Sequence, residues 1–523
     1  MYDLLIQNGT VVDGTGAPRR RADVAVQNGR IARIAPAIDE PAARVIDATG
    51  HIVSPGFVDY HSHSDDTVLT GAYGYNFLEQ GVTTQICGQC GSTPAPYYDG
   101  VLDGLRLHYS EDEWNAMREI CRTPRSFMEH AAQQRYATNM AFYTGHSALR
   151  ASAVYFSDKI PDERELDIMR GHLREAMECG YLGYTSGLVY PPSEYGKLHE
   201  LVELAKVAAQ YGGSYASHVR NEGDRVVEAV AEAIEVGRQS GAPVIVSHLK
   251  VAGKRNEGTS ATLLRMIEDA NAEGVRVRAD QYPYLAGSAP FICKIPSAYH
   301  TDGIEKLVAR LADKSFRDTL RAEVDAENIG ESLISGCPLT PQYVGMTVAQ
   351  IAEARGTDVI DASCDLLCLN KGSVQGIYFT QNESDMLRIL AHPYVMCGSD
   401  WSDYGDRSDP ETVGGSHPRG TSTAVRRLEL TRDHGLRTLE DVVHSMTGLP
   451  AETATLRDVG VLRVGARADI CVFDYAAIRT ASDYVHPHRR NEGIAYVVVG
   501  GTVAVEQGMA NGARAGVVLK RGQ

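Results

Sequence analysis

Short alternating runs of apolar and polar residues mark both ends of this chain. Residues 1–55 contain DLLIQNG, TVVDG and DVAVQNG, and the same style returns as VGARADICVFD at 464–474 and IAYVVVGGTVAV at 494–505. Alternation with a period of two is typical of half-buried strands, and Asn-Gly or Gly turns favour hairpins. We therefore predict that residues 1–55 and 455–523 fold together as one small β-sandwich, into which the middle of the chain is inserted.

The middle of the chain, residues 56–454, alternates strand-like with helix-like segments. Apolar residues recur at three- and four-residue spacing over 161–180, 197–212 and 223–241, which predicts helices there. Such alternation indicates a parallel sheet with crossover helices, and eight units predict an α/β fold of the (β/α)8 TIM-barrel type. The eight strand candidates are 51–63, 81–90, 139–147, 181–190, 212–220, 242–250, 275–284 and 394–401.

The gap between the last two strand candidates, residues 285–393, is too long for one crossover. A loop of that length is usually functional if it is ordered. The helix-like pattern of residues 303–324 indicates that the gap contains secondary structure of its own. We predict a small inserted subdomain or lid at 286–345.

The composition is ordinary for a globular protein, with 43% hydrophobic and 23% charged residues in a chain of 523. A net charge of -16 argues against nucleic acid and anionic membranes as partners. Ten cysteines in so long a chain do not form a disulfide scaffold. Because the first residues read as a strand and no apolar run approaches a membrane helix, we expect a cytoplasmic protein. Whether it forms a homo-oligomer is left open.

Polar groups that bind metals or transfer protons stand at the ends of most barrel-strand candidates. In a barrel the carboxyl ends of the strands meet on one face, where barrel enzymes place their chemistry. Imidazole and thiolate suit zinc, and a carboxylate can complete the set. Each residue alone has a plain structural interpretation, but their joint position at separate strand ends predicts a metal site. The residues are His61, His63, Cys90, His218, His248 and Asp400.

The first two of these residues belong to a His-x-His pair, which alternation along a strand places on one face. Cys90 also follows Cys87 at the spacing of a redox pair or a zinc ribbon, but no second CxxC follows. Core packing of Cys90 is the competing interpretation.

Several motifs together resemble the amidohydrolase superfamily. PGFVDYHSHSD at 55–65 looks like its metal-binding opening, and VGARADICVFD resembles part of its split β-sandwich. A narrower similarity is to the N-acyl-D-amino-acid deacylases, or D-aminoacylases, and it covers essentially the whole chain. The segments that carry it are GVTTQICGQCG (81–91), YTGHSALR (143–150), YTSGLVYPPSEY (184–195), YASHVRNEG (215–223), VSHLK (246–250), QYPYLAGS (281–288), GSDW (398–401) and HPRGT (417–421).

This resemblance implies hydrolysis of the amide bond of an N-acyl-D-amino acid, or a similar N-acyl compound, by water that a metal activates. It further implies that Cys90, His218 and His248 hold one tightly bound zinc ion. His61 and His63, with Cys90 and Asp400, would frame a second, weaker position, and Asp400 would be the general base and acid. The resemblance also implies that a Cys after the second strand replaces a carboxylated Lys after the fourth, where SGLVY has no Lys.

A free amino acid product implies a substrate carboxylate. Arg419 is the candidate to bind it as a two-pronged donor, with a surface salt bridge as the alternative interpretation. By resemblance, Tyr282 and Ser288 would help through their hydroxyls. Lys250 shares a face with His248 and either adds positive charge to the pocket or pairs with an acid such as Glu222. Arg220 and Glu222 alternate with His218 and are candidates to orient ligands.

Three departures from the family pattern leave the substrate undetermined. GQCG replaces the commoner GNCG, the segment between Asp400 and HPRGT is long, and the Tyr common after HPR is missing. The alternatives are a hydrolase of cyclic amides, a nucleobase deaminase, and a non-catalytic protein that retains the fold. The first usually needs the carboxylated Lys, the second usually lacks the Cys, and the third usually loses ligands.

Overall fold

Strands from the two ends of the chain lie side by side in one sheet. The computed structural model describes residues 1–71, 74–98, 110–301, 303–403, 417–484 and 486–523. Ile470–Phe473 pairs antiparallel with Ile52–Pro55, which joins the late strands to the early ones. The domain limits at residues 55 and 455 stay predictions. The nine strands are Tyr2–Val11, Arg20–Gln27, Arg30–Ala35, Ala42–Asp47, Ile52–Pro55, Ile470–Phe473, Ile494–Val499, Thr502–Glu506 and Met509–Ala510.

Each predicted strand segment of the middle region contains a strand, and all neighbouring pairs are parallel. The parallel pairs form one sheet of three strands and one of six. Backbone hydrogen bonds from Leu182 N to Phe142 O (2.8 Å) and from Tyr60 N to Cys397 O (2.9 Å) join these two sheets and close the barrel. Almost every strand residue is buried, because helices cover the outer face. The strands are Phe57–Asp59, Val82–Cys87, Asn139–Phe142 with Thr144–Gly145, Gly183–Gly187, Ser214–His218, Val244–Val246, Val277–Gln281 and Val395–Cys397.

The helices predicted between the strands are present. Glu163–Cys179 begins where the Asp162 side chain accepts a hydrogen bond from Glu165 N (2.9 Å), and it ends at Gly180, which has φ +99°. Its Met169, Leu173 and Met177 pack on the barrel core. The other helices around the barrel are Thr67–Thr70, Tyr75–Leu78, Glu111–Cys121, Pro124–Gln133, His146–Val154, Leu198–Gln210, Val226–Ser240, Ser260–Ala272, Glu383–Leu390, Arg419–His434, Leu439–Met446 and Gly448–Thr453.

The insertion between the last two barrel strands has its own apolar core, which runs from Phe291 to Val374 and so continues past residue 345. It extends that far because Gln375–Tyr378 is the central strand of a three-stranded sheet, between Gly287–Pro290 and Leu333–Gly336. Residues 303–324 form two helices rather than one, because the side chain of Asp313 caps the start of the second helix. The helices of the insertion are Ile304–Leu311, Lys314–Glu323, Ala326–Gly330, Val348–Arg355 and Val359–Leu369.

Two expectations from composition concern membranes and disulfides. None of the helices that the structure describes is long and apolar enough to cross a membrane. All ten cysteines lie in the described ranges, and each is a free thiol.

The contact between the joined sheet and the barrel generates a stability prediction. Phe473 is fully buried, and its ring meets Phe57 of the first barrel strand edge-on at 5.9 Å between centroids. We expect Phe473→Ala to lower the free energy of unfolding by about 3–5 kcal/mol, because a large cavity opens between the two layers. Urea unfolding followed by fluorescence measures it. Val464→Ala, at a side chain that is 61% exposed, is the matched control; equal effects of both changes would contradict this packing.

Candidate metal centre and active site

Side chains at the carboxyl ends of five barrel strands converge on one point. Cys90 Sγ lies 3.3 Å from His61 Nε2 and 3.3 Å from His248 Nε2, and His248 Nε2 lies 3.0 Å from His218 Nδ1. His61 and His63 follow the first strand, Cys90 the second, and Asp400 the last. The structure therefore brings together all six residues that the sequence singled out as metal or proton-transfer candidates.

The six residues form two overlapping groups, and within each group the candidate ligand atoms lie within 4.8 Å of one another. One group is Cys90, His218 and His248; the other is His61, His63, Cys90 and Asp400. All are buried except His63, which is partly exposed. A thiolate with two imidazoles is a donor set that suits zinc, and three protein ligands leave the open position of a catalytic site.

The Cys90 loop needs glycine on both sides of the thiol. Gly88 has φ +81°, and a Cβ there would lie 2.2 Å from Tyr143 O; Gly91 has φ +74°, and a Cβ there would lie 2.6 Å from Gly187 N. These close approaches press the loop against the neighbouring strand ends. Gln89, the unusual residue of GQCG, donates from Nε2 to Tyr60 O (2.9 Å) and therefore ties the loop to the strand that leads to His61.

Three of the candidate residues have a left-handed backbone, with φ of +52° at Cys90, +34° at His248 and +54° at Asp400. Such values are uncommon outside glycine and persist only when surrounding bonds hold them. Asp400 N donates to His61 O (2.8 Å), and His248 N donates to Asp280 Oδ1 (2.8 Å). These bonds aim the side chains inward at the cost of local strain, as is common at functional sites.

Two buried carboxylates, those of Asp59 and Asp280, contact His61. Asp280 Oδ1 lies 3.1 Å from His61 Nδ1, and Asp59 Oδ1 accepts from His61 N (3.1 Å) and from Ser399 N (2.8 Å). Burial raises the pKa of Asp59 to about 6. Sequence reasoning missed both residues. The available signal was an acidic residue inside a buried strand segment, in GFVDYH and in RADQY.

Neighbouring positive groups lower the pKa values of the acidic groups in the cluster. Burial raises the pKa of the Cys90 thiol, but His61 and His248 lower it further, so that it lies well below its usual value. Burial likewise raises the pKa of Asp400, yet Arg419 and then His248 hold it well below its usual range. The thiol is therefore poised to ionise, and the carboxylate is ionised at neutral pH.

Arg419 is buried, at 3% exposure, so the surface salt bridge is the wrong interpretation. Its Nη1 lies 2.7 Å from Asp400 Oδ2, and its guanidinium lies over the rings of Tyr282 (4.8 Å) and Trp401 (5.2 Å). Its Nε has no hydrogen-bond partner among the described residues. Arg419 N donates to His417 Nδ1 (3.0 Å), which fixes the start of its helix at the site.

The other substrate-binding candidates surround this guanidinium with different contacts from those expected. Ser288 presents its carbonyl oxygen to Arg419 Nη2 (3.2 Å), whereas the prediction invoked its hydroxyl. Tyr282 OH accepts from Gln381 Nε2 (3.3 Å). The roles of both hydroxyls toward a substrate stay predictions.

Of the two roles expected for Lys250, the structure shows the pairing with an acid. Its ammonium forms an ion pair with Glu222 and lies 2.8 Å from His248 Nδ1. Arg220 instead pairs with Glu232 (Nε to Oε2, 3.0 Å) and donates to Glu194 O, so within the described ranges it holds a neighbouring loop rather than a ligand candidate. Of the long segment before HPRGT, residues 404–416 lie outside the described residues.

Comparison with known proteins agrees with this geometry. The model of the amidohydrolase family matches residues 44–505. A D-aminoacylase of Alcaligenes xylosoxydans xylosoxydans is 33% identical over 99% of this chain and 98% of its own, and an N-acyl-D-glutamate deacylase of the same organism is 34% identical over 99% and 96%. A solved N-acyl-D-glutamate deacylase of Bordetella bronchiseptica, complexed with zinc and a phosphonate mimic of the tetrahedral intermediate, matches with a TM-score of 0.84 at 32% identity, over 99% of each chain.

A barrel that gathers a thiolate, imidazoles and a carboxylate at the carboxyl ends of its strands defines the class of metal-dependent barrel hydrolases. The full-length matches then narrow that class. The chain belongs to the amidohydrolase family, in its N-acyl-D-amino-acid deacylase group, as the sequence motifs predicted. A D-hydantoinase structure, with a TM-score of 0.57 at 16% identity, shares the fold alone.

The overlapping donor groups generate a metal-binding prediction. Cys90→Ser removes the one thiolate common to both groups, so we expect zinc affinity to fall by at least roughly 100-fold, because loss of a merely supporting residue already costs about 10–100-fold. Chelator competition on metal-free protein measures it. Cys397→Ser, a buried thiol outside both groups, is the control; equal losses in the two variants would remove Cys90 from the site.

Proposed function

We propose that this protein hydrolyses the amide bond of an N-acyl-D-amino acid, or a similar N-acyl compound, to a carboxylate and a free amine. The observation that carries the proposal is the junction of Cys90, His218 and His248 with the ionised Asp400 and the buried Arg419 at one end of the barrel. The full-length similarity to a D-aminoacylase and to an N-acyl-D-glutamate deacylase supports it.

Zinc is the metal we assign. Cys90, His218 and His248 would hold one ion tightly, and His61, His63, Cys90 and Asp400 would frame a second, weaker position. When bound, zinc polarises the scissile carbonyl and lowers the pKa of water toward neutrality.

Asp400 is the proposed general base and acid. Its carboxylate lies beside the donor groups, and Arg419 keeps its pKa low, so it is free to accept a proton from the attacking water. The same carboxyl group then delivers that proton to the leaving nitrogen, which the breaking C–N bond makes basic. His63 Nε2 lies 3.1 Å from Asp400 Oδ1 and holds the carboxylate in place.

Arg419 would bind the substrate carboxylate as a two-pronged donor, with the hydroxyls of Tyr282 and Ser288 beside it. Lys250, although paired with Glu222, lies with its ammonium 5.6 Å from the centre of the same Tyr282 ring and so brings a second cation to the pocket. A small-molecule N-acyl amino acid is thus the proposed partner, and a cytoplasmic location remains part of the proposal.

The alternatives lack a supporting contact. The fourth barrel strand, Gly183–Gly187, continues as Leu188 and Val189, so it offers no Lys for the carboxylated ligand usual in hydrolases of cyclic amides. The donor set is complete, which argues against a non-catalytic protein. A deaminase would usually lack a Cys ligand after the second strand.

The function is tested by a hydrolysis screen over N-acyl-D- and N-acyl-L-amino acids, hydantoins and nucleobases with zinc supplied. We expect release of a free D-amino acid, and Asp400→Asn should lower kcat by about 10²–10⁴-fold, the usual contribution of a positioned acid–base group. Asp474→Asn, which only removes charge from a turn outside the barrel, should match the wild type. Activity confined to hydantoins or nucleobases would refute the assignment.

Substrate recognition by Arg419 is tested with paired substrates, an N-acyl-D-amino acid and its uncharged amide. We expect Arg419→Met to lower kcat/KM for the acid by about 10–100-fold, the range of charge-assisted hydrogen bonds, and to remove most of the preference for the acid. The acid limb of the pH profile should move to higher pH, because Asp400 then loses the cation that lowers its pKa. Arg426→Met, an arginine of the same helix stacked on Tyr284, is the control; an unchanged acid preference in Arg419→Met would exclude this role.

A further inference from the structure

Glu222 lies next to His218 and His248, the two imidazoles that form a donor group with Cys90. Its Oε1 is 3.0 Å from His248 Nδ1 and 3.6 Å from His218 Nε2. The opposite nitrogens, His248 Nε2 and His218 Nδ1, are the ones that approach each other, and His248 Nε2 also approaches the Cys90 thiol. One carboxylate thus faces the outward nitrogen of each ring.

Backbone contacts fix the carboxylate in this position. Ala252 N donates to Glu222 O (2.8 Å), which ties the loop after the fifth strand to the loop after the sixth. Asn221 Oδ1 accepts from Gly223 N and Arg225 N (3.0 Å each) and closes the turn that follows. The two loops that carry His218 and His248 therefore meet at Glu222.

His218, His248 and Lys250 surround the Glu222 carboxylate, and their hydrogen-bond chemistry requires an acceptor at its position. A neutral imidazole carries one N–H, and a carboxylate only accepts, so it selects the tautomer whose proton faces it. At 3.0 Å this leaves the lone pair on His248 Nε2, whereas at 3.6 Å the carboxylate acts on His218 by charge rather than through a direct hydrogen bond. The Lys250 ammonium only donates, and it lies 2.8 Å from His248 Nδ1 while it is also paired with Glu222. It therefore competes with the carboxylate for this nitrogen and favours the opposite tautomer.

We propose that Glu222 is a positioning residue for the tight metal position: it favours the His248 tautomer with the proton on Nδ1, in competition with the Lys250 ammonium, and it attracts the outward edge of the His218 ring. The proposal rests on the assignment of Cys90, His218 and His248 as zinc ligands. Carboxylates that orient ligating imidazoles in this way are a general device of metal sites.

The neighbouring pair of Arg220 and Glu232 provides a matched comparison. Glu232 is also a carboxylate paired with a cation, and its side chain is 22% exposed, as is that of Glu222. Its partner is Arg220 alone among the ion pairs of the described residues, and it faces no imidazole.

The test is the zinc affinity of metal-free protein, measured by chelator competition for E222Q and E232Q. We expect E222Q to bind zinc about 10–100-fold more weakly, whereas E232Q should stay within about two-fold of the wild type, because Glu232 contacts Arg220 and neither candidate ligand. Cobalt(II) in place of zinc supplies a spectroscopic readout: the ligand-field bands should change in E222Q and not in E232Q. Wild-type affinity and spectrum in E222Q would overturn the proposal.

A double variant, E222Q/K250M, distinguishes the loss of the carboxylate next to the imidazoles from the effect of a Lys250 ammonium left without its partner. It carries no unpaired charge, so it also supplies the readout if E222Q alone does not fold. Affinity that stays low in the double variant supports tautomer control, and recovery to the wild-type value overturns it. Failure of the wild type itself to bind zinc would refute the proposed function instead, so the two failures are distinguishable.

Discussion

The contact between one buried thiol and imidazoles from distant parts of the chain is the constraint on which the rest of the structure depends. Cys90 Sγ lies 3.3 Å from both His61 and His248, which follow the first and sixth barrel strands. A thiolate away from water needs positive or hydrogen-bonding partners on every side. Those partners come together only when the parallel strands close into a barrel, so the fold and the chemistry of the site are inseparable.

Charge balance around the thiol organises the second layer of the site. Asp280 and Glu222 stand behind the imidazoles, while Arg419 and Lys250 offset the carboxylates. Each buried charge thus has an opposite charge within contact distance, which limits the cost of taking it out of water. The same balance keeps Asp400 ionised, because Arg419 and the imidazoles of the cluster lower its pKa.

Local pattern was sufficient to predict the barrel strands and all six candidate ligands, because alternation, helical spacing and strand-end position are properties of short segments. Local pattern could not predict contacts between segments that are far apart in the sequence. The pairing of Gln375–Tyr378 with Gly287–Pro290, which enlarges the insertion, depends on strands far apart in the chain. The role of Asp280 depends on which side chain of its strand points toward His61. For Lys250, the sequence left two roles open, and the ion pair with Glu222 depends on the meeting of two loops.

The pairing of Ile470–Phe473 with Ile52–Pro55 has a consequence for biosynthesis. The earlier strand leads directly into Phe57–Asp59 and so into His61, yet its neighbour in the sheet emerges from the ribosome only after every barrel strand has been made. Translation proceeds at about 5–20 residues per second, so Ile52–Pro55, which pairs early with Tyr2–Val11, waits many seconds for its second neighbour. The sheet that holds the start of the first barrel strand is therefore completed only after the last barrel helix has been made.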